Sequence, residues 1–282
     1  MVLEAIIRPN TSKLKPWHFL LLGMLYSAVA LFLSLWIFKD ESSLVMVFLT
    51  VLACVPLIHG LIVKEENKDT KIKNEKKLFR EHWKLLMSLL YLFLGFVLTY
   101  TILFIFLPEQ TVATLFETQL FTIQAINSNI SGDFAGSGFL SLIMANNLKV
   151  LFFCVLFSFF YGAGAIFILT WNATIISAAI GTFIRNGIET YVTSLGWSSL
   201  ATYFHIISIG FLRYMTHGIL EVLAYFVGGL AGGIISVAMI RHSTDSKKFS
   251  RVMRDAINLL IFAIVLLVMA AIVEVYVSPW LG

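Results

Sequence analysis

Seven stretches of about twenty residues carry little or no charge, and this limits what the chain can fold into more than any other feature. They run Trp17–Phe38, Leu44–Val63, Leu85–Leu107, Leu148–Thr170, Asn172–Thr193, Gly218–Ile240 and Ala256–Val277. About twenty residues at ~1.5 Å rise each cross a hydrocarbon core of ~30 Å. Backbone amides find no water partner there, so a crossing segment is either a helix or a barrel strand. Barrel strands would read as alternating segments of about ten residues, and the stretches here are longer and continuously apolar. The expected fold is therefore all-α, a polytopic transmembrane helical bundle. Charged residues make up 13% of the chain, against ~25% in soluble domains, so no separate soluble enzyme domain is expected. Arg8, Lys13 and Lys15 precede the first stretch. It is too long for a signal-peptide core, so it is read as an uncleaved first span.

Loop charges orient the bundle. The Lys64–Lys84 linker carries Lys64, Lys68, Lys71, Lys73, Lys76, Lys77, Arg80 and Lys84, and the Arg241–Asp255 loop carries five more basic residues. The loop over 108–147 has neither Lys nor Arg. The positive-inside rule then puts the first two loops in the cytoplasm, the third outside, the N-terminus inside and the C-terminus outside a plasma membrane. Residues 1–84 read as two helices with a basic cytoplasmic linker, and 85–282 as a core bundle with outer loop 108–147. The linker is an ordinary basic loop or a contact with anionic lipid. The net charge of +4 belongs to such loops and does not point to nucleic acid. Cys54 and Cys154 fall within spans and read as small core residues.

Within the outer loop, Val112, Leu115, Phe116, Ile123, Ile126 and Ile130 recur at helical spacing, giving an amphipathic helix on the membrane surface or against the bundle. Ser131–Ser137 reads as a turn, and Asn129-Ile130-Ser131 is a glycosylation triplet. A tight turn is expected at Trp171–Asn172, with Asn172 satisfying it; the alternative is one long broken span over Leu148–Arg185. Leu200–Met215 is expected to lie flat at the outer interface or to re-enter part-way.

Charges inside spans are costly and mark candidate sites. Arg213, His217 and Glu221 are spaced four apart and share a helix face. Asn146 and Asn147 open the fourth span, and Arg185 and Glu189 lie toward the outer end of the fifth. These seven residues fall at similar depth and are candidates for one outward-facing polar pocket. Each also has a structural reading: helix capping for the asparagines, an i,i+4 pair for Arg185 and Glu189, and helix locking for His217 and Glu221. A metal site would draw on His205, His217 and Glu221. However, H-x-x-x-E supplies two ligands where a catalytic zinc takes three, so neither metal nor cofactor is expected. Gly228, Gly229, Gly232 and Gly233 form overlapping GxxxG pairs, and Gly162-Ala163-Gly164-Ala165 forms a second small-residue patch. Both permit close helix contact, within the chain or between two copies. No phosphate-binding loop and no nucleophile elbow occurs.

Three passages, taken together, resemble the stage II sporulation protein M family. They are Asn146-Asn147-Leu148-Lys149; Tyr161–Leu169 leading into Trp171-Asn172-Ala173 and Ile180-Gly181; and His217-Gly218-Ile219-Leu220-Glu221. The resemblance covers Leu115 to Ile240, with the first two spans and the linker as an addition. It departs at Ala173, where the family commonly has glycine. The resemblance implies an anchor for secreted, peptidoglycan-degrading partners that is not itself the hydrolase. The leading expectation is therefore a non-enzymatic scaffold that binds lipid and extracytoplasmic or membrane proteins. The alternatives are a transporter or lipid-handling protein with a polar pocket, and an intramembrane metal-dependent hydrolase whose catalytic residues the sequence does not identify.

Overall fold

The computed structural model describes residues 15–71, 75–130, 137–161, 164–195, 200–241 and 247–281. Among these residues all regular structure is helical. In chain order the helices are α1 (Pro16–Ile37), α2 (Ser42–Lys71), α3 (Glu75–Phe106), α4 (Glu109–Leu115), α5 (Glu117–Ile130), α6 (Ser137–Tyr161), α7 (Ala165–Leu195), α8 (Leu200–Arg241) and α9 (Lys247–Tyr276). Short 3₁₀ turns follow α1 and α9. Seven of the helices, all but α4 and α5, are long and apolar enough to cross a membrane. Pro16 opens α1 where a missing N–H costs nothing.

The spans alternate in direction, so the bundle has a basic end, at the α2–α3 and α8–α9 connections, and a far end. Exposed aromatics mark both. Trp36, Phe106, Tyr276 and Trp280 ring the far end, while Trp17, Trp83 and Phe160 sit at the basic end. Amphipathic rings prefer the membrane–water boundary. Trp17 and Trp36 lie about 28 Å apart along α1 at ~1.5 Å per residue, which matches one hydrocarbon thickness.

Glycines set the closest helix contacts. Gly23 of α1 and Gly95 of α3 face each other, and a Cβ built on Gly95 would lie 3.0 Å from the Gly23 Cα and deep inside the Leu20 carbonyl oxygen. In α8, a Cβ on Gly229 would lie 2.6 Å from the Ala165 Cβ of α7, and one on Gly232 would lie 2.5 Å from the Val155 carbonyl of α6. This glycine face is covered within one chain.

Three expectations about the chain path are corrected. The turn expected at Trp171–Asn172 is absent: α6 ends at Tyr161 and α7 begins at Ala165. Asn172 lies inside α7, where its Nδ2 donates to the Ile168 carbonyl at 2.8 Å. That bond satisfies an amide which, in sequence, looked like a turn former. Asn146 and Asn147 do not open the fourth span, because α6 starts at Ser137. Leu200–Met215 is no separate interfacial segment, because it continues without a break into α8, which has 42 residues.

The amphipathic segment of the loop splits into α4 and α5 and folds back into the bundle. The Phe116 ring stands edge-on to Tyr100 and Phe104 of α3, with centroids 6.4 and 5.0 Å away. Tyr100 lies about 9 Å below the end of α3, at ~1.5 Å per residue, so the reversal is re-entrant. At its floor Gln119 is fully buried. Its amide nitrogen Nε2 donates to Thr174 Oγ1 at 3.2 Å, and Ser43 Oγ donates to its Oε1 at 2.8 Å. Gln119→Leu is expected to destabilise the protein by about 1–2 kcal/mol, because it removes both hydrogen bonds and leaves their partners in place. Thermal unfolding in detergent checks this. The side chains of 126–130 and the triplet's Ser131 lie outside the described residues, as does most of the turn at 131–137.

Candidate functional site

Polar side chains from α6, α8 and α9 meet near the far end. Asn147 is buried, and its Nδ2 donates to Glu221 Oε1 of α8 at 2.5 Å. One turn toward the far end, His217 Nδ1 shares a 2.8 Å hydrogen bond with Ser278 Oγ, just past the end of α9. Glu274, one turn before Ser278, brings its carboxyl into hydrogen-bonding contact with that of Glu221. Tyr225 is buried one turn further along the same stretch of α8.

Helix geometry explains the convergence. His217, Glu221 and Tyr225 follow at i,i+4 spacing on α8. Glu274 and Ser278 repeat that spacing across an antiparallel neighbour, so the two ladders meet rung to rung. α6 runs parallel to α8 and is held close by Gly228 and Gly232, which face Leu151 and Val155. That close approach brings the Asn147 amide within reach. Asn147 and Glu221 answer each other across helices, and His217 is answered by Ser278 after α9, as burial in lipid requires.

The expected single pocket of seven residues divides. Asn147, His217 and Glu221 come together. Asn146, next in the chain to Asn147, points outward and is exposed. Arg185 sits elsewhere: its guanidinium donates to the carbonyls of Ile105, at 3.2 Å, and Leu107, and lies 5.5 Å from the Phe104 ring centroid. It caps the C-terminal end of α3, where free carbonyls and the helix dipole favour a cation. Glu189 is exposed one turn further on α7. Arg213 lies 5.8 Å from the Phe183 ring. His205 is exposed about three turns from His217 and does not join it. Among the described residues no three His, Cys, Asp or Glu side chains gather as a metal would need.

Sequence reasoning missed Glu274, Ser278 and the role of Asn147 as a donor to Glu221. The first was findable, because a lone carboxylate near the end of an apolar span is the same signal that marked Glu221. The others depend on pairings between residues far apart in sequence.

Registers across the bundle reveal a second feature. Arg185 is level with the end of α3, and His217 is level with Ser278 beyond α9. Gly187 of α7 faces Ile206 of α8, and Gly210 faces Phe183 and Ile184. The last two to three turns of α7 therefore pair with about the first ten residues of α8, about 15 Å at ~1.5 Å per residue, and continue past the end of α3 as a helical hairpin. Phe204 and Ile207 are exposed on it, and Leu212 is exposed at its base.

A family model described as Stage II sporulation protein M matches residues 43–279. The match begins at the start of α2 and ends in the turn after α9, wider on both sides than Leu115–Ile240. An uncharacterised protein of Methanocaldococcus jannaschii is 26% identical over 141 residues, covering 49% of this chain and 69% of the relative. No solved structure matches the chain.

Proposed function

Because the chain belongs to the stage II sporulation protein M family, we propose that it is a non-enzymatic scaffold of the plasma membrane whose α7–α8 hairpin holds extracytoplasmic partner proteins. The observation that carries this reading is the hairpin itself. A span needs about 20 residues and α8 has 42. Part of the surplus pairs with α7 beyond the end of α3 and exposes Phe204 and Ile207, with Leu212 exposed at its base. Apolar side chains in such a place call for a covering surface. Lys and Arg in the linkers favour the basic end as cytoplasmic, so the hairpin faces outward, where secreted or membrane-anchored proteins can reach it.

The polar cluster fits the same reading. Asn147–Glu221, Glu221–Glu274 and His217–Ser278 tie three spans together below the hairpin. The platform then stands on a locked base.

The test is in vivo photo-crosslinking from position 204, compared with a Phe204→Asp, Leu212→Asp double variant and with Glu221→Gln. The expected result is a discrete set of extracytoplasmic adducts, reduced at least tenfold by the double variant and retained in Glu221→Gln. If the adducts survive the double variant, or if Glu221→Gln instead abolishes a solute flux in liposomes, the scaffold reading fails.

A further inference from the structure

At the basic end, His82 of α3 is buried between two acids from other helices. Its Nδ1 lies 3.2 Å from Glu65 Oε1 of α2, and its Nε2 lies 3.1 Å from Asp255 Oδ2 of α9. The side chains of His82 and Glu65 are each 2% exposed, and that of Asp255 is 20% exposed. Ionised carboxylates only accept hydrogen bonds, and a neutral imidazole donates from one nitrogen and presents a lone pair at the other. A neutral ring would therefore turn a lone pair toward one of the acids. With both acids ionised, both contacts are attractive only when both nitrogens carry protons.

The surrounding charges agree. Lys68 pairs with Glu65 at 3.0 Å and with Glu81 at 3.1 Å, and Lys84 pairs with Glu81 at 2.5 Å. The chain Lys84–Glu81–Lys68–Glu65–His82–Asp255 thus holds three acids against two lysines and one imidazole. Among these six named groups the charges balance only with His82 protonated. Partial burial disfavours the Lys68 ammonium, but Glu65 and Glu81 outweigh this and hold its pKa above the usual lysine value. Arg251 lies one turn from Asp255 on α9, while Lys64, Arg80 and Arg254 are exposed to solvent around the cluster. A buried ion pair is costly to break, because removing one partner leaves the other charged and unanswered.

We infer that His82 is a proton-dependent clamp: its imidazolium bridges Glu65 and Asp255, fastening the basic end of α9 to α2 and α3, and loss of that proton unfastens it. The clamp lies at the opposite end of α9 from Glu274 and Ser278, so the two ends of this span are held by separate polar contacts. Release at the basic end would free α9 there while its far end stays fixed.

The experiment uses the full chain in nanodiscs with ¹⁵N-labelled histidine. The His82 signal is identified by its absence in His82→Gln, and thermal unfolding is followed from mildly acidic to alkaline pH. The expected result is a His82 ring protonated on both nitrogens at neutral pH. Stability should fall with rising pH over the interval in which that signal titrates. Asp255→Asn, which folds without needing a new charge partner, should move the titration to lower pH and flatten the stability slope. A neutral His82 ring at neutral pH, or a slope unchanged in Asp255→Asn, overturns the inference.

Discussion

Gly95→Val is expected to cost about 3 kcal/mol or more, because overpacking here meets backbone and not a side chain that can rotate away. The added Cβ would run into the Leu20 carbonyl oxygen, with the Met24 amide nitrogen 2.9 Å away. Relief requires α1 and α3 to separate along their whole contact, including the Thr99 hydroxyl that donates to the Met24 carbonyl at 3.4 Å. Gly60 of α2 provides the control, since a Cβ there meets nothing within 4 Å. Gly60→Ala should gain up to about 1 kcal/mol from helix propensity alone. Thermal unfolding of both variants in detergent reads the difference. Equal behaviour would mean that α1 does not rest on α3 as described.

Asn147→Ala is expected to destabilise the protein by about 1–2 kcal/mol, and Asn146→Ala to leave it within about 0.5 kcal/mol. The two residues are adjacent and chemically identical. Only Asn147 is turned inward, where its amide answers Glu221. Removing it leaves the carboxyl pair with one donor fewer in a medium that supplies no water. The ranking can be read from melting temperatures of the purified variants. Equal losses would show that Asn147 does not hold α6 to α8.

Class and span number were legible because lipid leaves the backbone so little choice. Once the uncharged runs were seen, helices followed, and the charges in between separated them. His217 and Glu221 were legible as a site for the same reason, since a charge at that depth must be answered by something. Boundaries were less legible. Trp171-Asn172 interrupts an apolar run and reads as a turn, yet Asn172 can satisfy itself on the Ile168 carbonyl inside a helix, so the chain turned earlier. The Gly23–Gly95 contact was invisible because each glycine stands alone in its own span and forms no GxxxG pair. His82, Glu65 and Asp255 sit in stretches that look like ordinary loop-flanking charge. Only the packing of three distant helices shows that they share a buried centre.

The unbroken α8 has a geometric consequence. A straight helix joins height to heading: each residue added lifts what lies beyond it by ~1.5 Å and turns it by about 100°. An insertion between Leu212 and His217 would leave the embedded half of α8 where it is, yet swing Phe204 and Leu212 to a new compass bearing. It would also pull Ile206 out of step with Gly187 unless α7 gained a residue to match. Reach and aim of the platform are therefore not independent. Chains of this build can lengthen the hairpin without re-aiming it only in matched steps of about seven residues, close to two full turns, on both helices.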